Sequence, residues 1–309
     1  MTNVDPLWSI SDEVPQLVAD EVQVWLLRLD VEEACFDRCR NILDGDEQQR
    51  AARFLHDRAR RRFVACRGQL RMILAHCLDE DPKNLRFVYG PFGKPQLGNP
   101  ACQQLRFNVS HCRDLALMAV AAGRQVGIDL ECVRPLANLE GMVQHCLAPQ
   151  ERATWHALPP EERLGAFFRA WTGKEAVLKL LGRGLSFPLD SIKVLARSAL
   201  LERVVRVPSW EHAGARQESL ISKGTGDVYR VGPIAKGTCE GVEKGPVSNA
   251  TSQQREEHDV GSISKGTGAG GGVDVSYLEG FTPVPGFSAA VAVQGTEARL
   301  SFRCWAVGT

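Results

Sequence analysis

The chain has 309 residues, 37 basic and 37 acidic side chains, and no net charge with histidine neutral. That length can bury a sizeable core as one large domain or two intimate halves, and the charge balance gives no reason to expect a nucleic-acid or membrane partner. No apolar run is long enough to cross a bilayer, the N-terminus lacks a basic start with an apolar core, and ten cysteines fall without a CxxC pair. The expectation is a cytosolic protein with reduced, mostly buried thiols.

Residues 1–20 are polar and contain proline, and read as a loose tail. Glu21 to Leu29 then alternates as a strand, with Val22, Val24 and Leu26 on one face and Trp25, Leu27 and Leu29 on the other. Asp46 to Cys77 reads as a basic amphipathic helical region, with Phe54, Phe63, Val64, Leu70, Ile73 and Leu74 among arginines. Such a face is ordinarily solvated and ion-paired; its functional alternative is an anion site, because guanidinium groups grip phosphate bidentately.

Tyr89-Gly90-Pro91-Phe92-Gly93-Lys94-Pro95 marks a stiff turn that holds Lys94 where it could meet a phosphate, although it is too short and too poor in glycine for a P-loop. Phe107-Asn108-Val109-Ser110-His111 alternates as a half-buried strand. Leu115–Ala121 and Gln125–Glu131 follow as strands around a Gly123-Arg124 turn. No G-x-S-x-G elbow is present, and Ser110 and His111 point to opposite faces of one strand, which argues against serine hydrolysis. Phosphate binding is the functional option for His111, and a plain hydrogen bond the ordinary one.

The chemistry concentrates in two stretches. In Gly127-Ile128-Asp129-Leu130-Glu131, side chains two apart share a face, so Asp129 and Glu131 present two carboxylates while Ile128 and Leu130 face the other way. Pro149 to Gly182 reads as helical, with Pro159-Pro160-Glu161-Glu162 as a start and Gly182 as a stop. Its apolar stripe runs Leu164, Phe168, Trp171 and Leu178, and Glu175 falls on that stripe. A carboxylate there is costly unless it is neutralised or binds a cation. Three carboxylates from a strand and a helix offer the hard oxygen ligands that suit Mg²⁺. Glu175 and Lys179 lie one turn apart on one face, an ordinary ion-pair spacing on a surface. Gly173 inside the helix suggests a close approach to its backbone.

Asp190 to Val207 resumes strand-like alternation. From 208 to 272 the composition shifts to glycine, serine, threonine and charge, with Ile221-Ser222-Lys223-Gly224-Thr225 echoed at Ile234 and Ile263; this reads as a low-complexity, disordered insertion. Val273–Leu278, Ser288–Val293 and Ala298–Trp305 return to strand character. The Ser288–Val293 strand and its glycine turn faintly repeat Leu115–Gly123. The resulting division is 21–122 as an N-terminal half and 123–207 with 273–309 as a C-terminal half.

In joint order and spacing, Gly93-Lys94-Pro95, Phe107-Asn108-Val109-Ser110-His111, Gly127-Ile128-Asp129-Leu130-Glu131, Phe168-x-x-Trp171-x-x-Lys174-Glu175-Ala176-x-x-Lys179 and Gly182-x-Gly184-Leu185 resemble the surfactin-synthetase-activating type of 4′-phosphopantetheinyl transferase. The likeness spans roughly 45–207 and, loosely, the last strands; the 208–272 stretch departs from the family's pattern. The resemblance implies an α+β pseudo-dimer of two similar halves, each a small antiparallel sheet packed with a long helix, with coenzyme A in the cleft between them. It implies a monomer that moves the phosphopantetheine arm of coenzyme A onto a serine of an apo acyl or peptidyl carrier protein, releasing adenosine 3′,5′-bisphosphate.

It also implies residue roles. Arg50, Arg62, Lys94, Ser110, His111 and Lys179 would bind coenzyme A. Asp129, Glu131 and Glu175 would hold Mg²⁺. Glu175, Lys179 and His111 are the catalytic candidates, with Glu175 as ligand, base or both. A non-catalytic carrier-protein-binding homologue and a metal-dependent phosphohydrolase are the other readings. A complete set of acids together with Lys179 argues against the former.

Overall fold

The computed structural model of the chain describes residues 8–11, 13–99, 102, 104–182, 187–195, 204–207 and 274–306. The expected 208–272 insertion and Gly184-Leu185 lie outside the described residues. A five-stranded sheet contains β1 (Ser9–Ser11), β2 (Glu21–Arg28), β5 (Leu105–Cys112), β6 (Leu115–Ala122) and β11 (Arg299–Trp305), in the order β1-β11-β2-β6-β5. A four-stranded antiparallel sheet contains β7 (Val126–Cys132), β8 (Val204–Val207), β9 (Asp274–Phe281) and β10 (Phe287–Gln294), in the order β7-β10-β9-β8. Between β2 and β5 lie helices α1 (Glu33–Asn41), α2 (Gly45–Ala52) and α3 (Asp57–Leu78), and then the small hairpin of β3 (Phe87–Tyr89) and β4 (Pro95–Leu97). Helices α4 (Leu139–Cys146), α5 (Pro149–His156) and α6 (Pro160–Leu181) follow β7.

Period-2 alternation sorts these strands into layers. Val22, Val24 and Leu26 of β2, with Leu117, Ala119 and Ala121 of β6, pack against Val126, Ile128 and Leu130 of β7 and Ala289, Val291 and Val293 of β10. This apolar layer lies between the two sheets. On the outer face of the first sheet, Trp25 and Leu27 meet Leu70, Ile73 and Leu74 of α3. On the outer face of the second, Ala290 and Ala292 meet the α6 core of Phe167, Phe168, Trp171 and Val177. Helix, sheet, sheet, helix is the stacking that results, an α+β arrangement.

A buried ionic pin braces each of the two long helices. In the first, Glu47 at the start of α2 meets Arg71 (2.7 Å) and Arg67 (2.7 Å), and Arg71, fully buried, also reaches Asp44 and the Pro82 carbonyl. In the second, Glu151 at the start of α5 meets Lys174 (2.6 Å), also fully buried, which reaches the carbonyls of Leu189 and Ile192. Each cation thus ties a short helix and a following loop to the long helix. Burial lowers the Lys174 ammonium from its ordinary range, and the Glu151 carboxylate pulls it back up.

The structure departs from the sequence expectations in several places, three of which shape the fold. Residues 8–11 are not loose: β1 pairs in parallel with β11, and Trp8 is buried edge-on to Phe302 with its indole N–H on the Pro283 carbonyl. Three residues are too few to show a period-2 signal. The last strand, β11, leaves the second half and pairs in parallel with β2, from Arg299↔Glu21 to Cys304↔Leu26, which covers an otherwise open edge and makes the first sheet mixed rather than antiparallel. The 46–77 region is two helices, not one. The break falls between Arg53 and His56, where the sequence has no glycine or proline. The turn brings α2 back so that Glu47 can meet Arg71.

Candidate functional site

The site forms where β5, β7 and α6 meet. One face of β7 carries Gly127, Asp129 and Glu131 toward α6. The approach depends on Gly127, since a Cβ there would lie 2.0 Å from the Ala176 carbonyl oxygen and 2.3 Å from the Leu180 nitrogen. Asp129 is fully buried, and Glu131 and Glu175 are 8% and 9% exposed.

Two elements converge on the Asp129 carboxylate. Lys179 Nζ lies 2.5 Å from Asp129 Oδ1, and Ser110 Oγ, from β5, donates to the same oxygen at 3.0 Å. Lys179 also donates to Ser110 Oγ (2.9 Å) and to the Ile128 carbonyl (3.1 Å). Further along α6, Thr172 Oγ1 stands 3.2 Å from Ser288 Oγ, and Ser288 pairs with Glu131 in the β7–β10 register. Glu175 lies on the helix between Thr172 and Lys179, buried as its place on the apolar stripe predicts.

β5 and β7 are neighbours without backbone pairing; side chains seal the outer edge of β7 instead. Asn108 Oδ1 accepts from the Ile128 N–H (2.9 Å), Lys179 covers the Ile128 carbonyl, and Lys94 covers the Val126 carbonyl (3.0 Å) and the Leu180 carbonyl at the end of α6 (3.1 Å). Lys94 stands on a turn of the expected kind, with Gly93 at φ +78°. Burial, aided by repulsion from Arg106, brings its ammonium down to about 8.

The remaining candidates lie to one side. His111 is exposed near the end of β5, just before the Arg113-Asp114 hairpin turn. Arg62 is committed to Asp114 (2.7 Å), which Arg58 also holds (2.9 Å), and the Arg62 hydrogen bond, with Arg58 beside it, keeps the Asp114 carboxyl below its ordinary range. Arg50 is exposed, with its guanidinium 5.2 Å from the centre of the Phe63 ring. The structure therefore joins Asp129, Ser110 and Lys179 by direct contacts, places Glu131 and Glu175 on the facing strand and helix, and gives Lys94 and Arg62 protein partners.

A cavity of about 950 Å³ opens elsewhere, at the C-terminal end of α3, lined by residues that include Met72, His76, Leu105 and Trp305. No candidate site residue lines it. Sequence reasoning quoted Asn108 and Lys174 within motifs but assigned neither a role. An asparagine within a strand that otherwise alternates is the signal for the first. For the second it is a lysine beside Glu175 on a helix whose flanking positions are apolar.

The donor set suits a hard divalent cation in kind: three carboxylates on two elements, largely shielded from water. As the side chains stand, no group of three or more His, Cys, Asp or Glu residues among the described residues is gathered to hold a metal ion.

Comparison with known proteins then places the architecture. Residues 31–123 match the family model described as 4′-phosphopantetheinyl transferase, N-terminal, and residues 125–220 match that of the 4′-phosphopantetheinyl transferase superfamily. The 4′-phosphopantetheinyl transferase HetI of Nostoc sp. (strain PCC 7120) is 40% identical over 195 residues, 63% of this chain and 82% of that protein. A 4′-phosphopantetheinyl transferase of Bacillus subtilis is 28% identical over 158 residues, 51% of this chain and 68% of the relative. AcpT of Salmonella typhimurium, also named a 4′-phosphopantetheinyl transferase, is 35% identical over 130 residues, 42% and 65% of the two chains. The matches are thus to group-transfer enzymes. The chain belongs to the 4′-phosphopantetheinyl transferase superfamily.

Proposed function

We propose that this chain transfers the 4′-phosphopantetheine arm of coenzyme A to a serine of an apo acyl or peptidyl carrier protein, releases adenosine 3′,5′-bisphosphate, requires Mg²⁺, and is of the surfactin-synthetase-activating type. The observation that carries the reading is the meeting of Asp129, Ser110 and Lys179 from three separate elements beside two more buried carboxylates. The names of the relatives support the same activity.

In this reading the molecule is a pseudo-dimer whose halves each run strand, two short helices, long helix, then two paired strands, with the coenzyme A cleft between them. The repeated element order and the paired ionic pins support it. Strand β11 is exchanged to the first half, and the 208–272 stretch, which holds no candidate residue, is dispensable for transfer.

Asp129, Glu131 and Glu175 would hold Mg²⁺, which supplies positive charge for a diphosphate as its anhydride breaks. Arg50 and His111, both exposed, would meet phosphate. Arg62 and Lys94 reach it by trading Asp114 and the two carbonyls for phosphate oxygens. Ser110 holds Asp129 in place with its one hydroxyl hydrogen, and would turn it to a phosphate oxygen only by releasing that carboxylate. Glu175, shielded from water, takes the proton of the carrier serine, and Lys179 offsets charge on the departing oxygen.

The test is one incubation of apo-carrier protein, coenzyme A and Mg²⁺, read by intact mass. A gain equal to the phosphopantetheine arm is expected. An unchanged carrier, with or without coenzyme A hydrolysis, defeats the proposal; no reaction at all favours a carrier-binding homologue.

A further inference from the structure

We infer that Lys179 is the resident counter-cation of the carboxylate site: its ammonium holds Asp129 while no divalent ion is present, and a divalent ion binds by displacing it. The inference rests on the Mg²⁺ reading above. Asp129 is fully buried, and a buried carboxylate without a positive partner is strongly disfavoured. Lys179 supplies that partner at 2.5 Å. The ammonium also donates to Ser110 Oγ and the Ile128 carbonyl, which fix it beside the carboxylate.

One Asp129 oxygen, Oδ1, is held from α6 by a protein cation. Exchange would do two things at once. It gives Asp129 to the metal, and it frees a lysine, one helical turn from Glu175, to meet a phosphate. A permanent ion pair serving stability alone makes the opposite forecast for metal binding, because loss of Lys179 would then disturb Asp129 and weaken any cation site.

The experiment is calorimetric Mg²⁺ titration of the metal-free full-length chain as wild type, Lys179→Met and Lys179→Arg. Removing an adjacent like charge should tighten Mg²⁺ binding in Lys179→Met by about tenfold or more. Lys179→Arg, which keeps the charge, should stay within about threefold of wild type. Metal-free Lys179→Met should also melt below wild type and recover on adding Mg²⁺. Binding to Lys179→Met that is equal to or weaker than wild type overturns the inference. If that variant does not fold, acetylation footprinting of the wild type decides: Lys179 should label faster with Mg²⁺ than without, and an unchanged rate overturns the idea. A wild type that neither binds Mg²⁺ nor modifies a carrier defeats the parent reading instead.

Discussion

The two sheet-and-helix layers differ in what lines the strand beneath the long helix. In the β2–β6 register Val22 faces Ala121, and in the β7–β10 register Val126 faces Val293. Counting from those pairs, Gln23, Trp25 and Leu27 of the first half stand where Gly127, Asp129 and Glu131 stand in the second. With the pins at Arg71 and Lys174 aligned, Met72 and His76 of α3 correspond to Glu175 and Lys179 of α6. One wall carries no acid at these positions, and its Trp25 and Leu27 contribute cohesion against α3. The other buries charge, which costs stability, and keeps it in place with the same frame. The difference teaches that the frame and the site are separable, so substitutions should divide into those that harm folding and those that harm chemistry.

The largest effect expected is on the frame. Lys174→Met leaves Glu151 buried without this cation and should cost about 3–5 kcal/mol in urea unfolding, whereas Arg71→Met leaves Arg67 on Glu47 and should cost less. A cost below about 1 kcal/mol would make the pins incidental.

Next comes the wall itself. Leu27→Ala, in the acid-free wall, should cost about 2–5 kcal/mol and leave kcat per folded molecule unchanged. Glu175→Gln should lower transfer by about 10²-fold or more with unfolding midpoint unchanged or raised. If both variants lose stability and activity together, the separation fails.

Gly127→Ala sits between these classes. The added methyl meets the Ala176 carbonyl, so α6 must move off β7 at a cost of about 1–3 kcal/mol. Transfer should fall with it, because Lys179 rides on the same helix. Full activity in this variant would show that the spacing of α6 is not critical.

The smallest effect concerns pH. The Lys94 ammonium titrates at about 8 when folded, against 10.5 for an ordinary lysine. Between those values the unfolded chain binds this proton and the folded chain does not, so the lysine disfavours folding below 8 and stability climbs toward 10.5. As a neutral amine Lys94 still has two N–H donors for its two carbonyls. Urea midpoints at about pH 7.5 and about pH 9.5 should show a rise in wild type that Lys94→Met lacks. An equal slope in both would remove the claim that Lys94 is buried on backbone.

The wall of acids was legible because strand alternation is local: β7 needs only its own residues to set Asp129 and Glu131 on one face. Placing Glu175 on the apolar stripe of α6 worked for the same reason, as did Gly182, which ends the helix at φ +65°. What local pattern does not carry is the choice of partner. Nothing in Arg299–Trp305 says that β11 will cross to β2, since an open edge accepts any strand of suitable alternation. A lysine arm takes whichever acceptors lie in reach, so Lys94 could be placed on its turn but not on the Val126 and Leu180 carbonyls. Lys174 and Glu151 lie on separate helices, and only packing reveals them as a pair.

The central claim is that Asp129, Glu131 and Glu175 serve a common divalent ion at a bound diphosphate, and a crystal structure of the chain soaked with Mn²⁺ and coenzyme A addresses it most directly. The account predicts one anomalous peak within bonding distance of all three carboxylates and of the pyrophosphate, with Lys179 withdrawn from Asp129. Mn²⁺ bound away from these side chains, or held by phosphate alone, would contradict it.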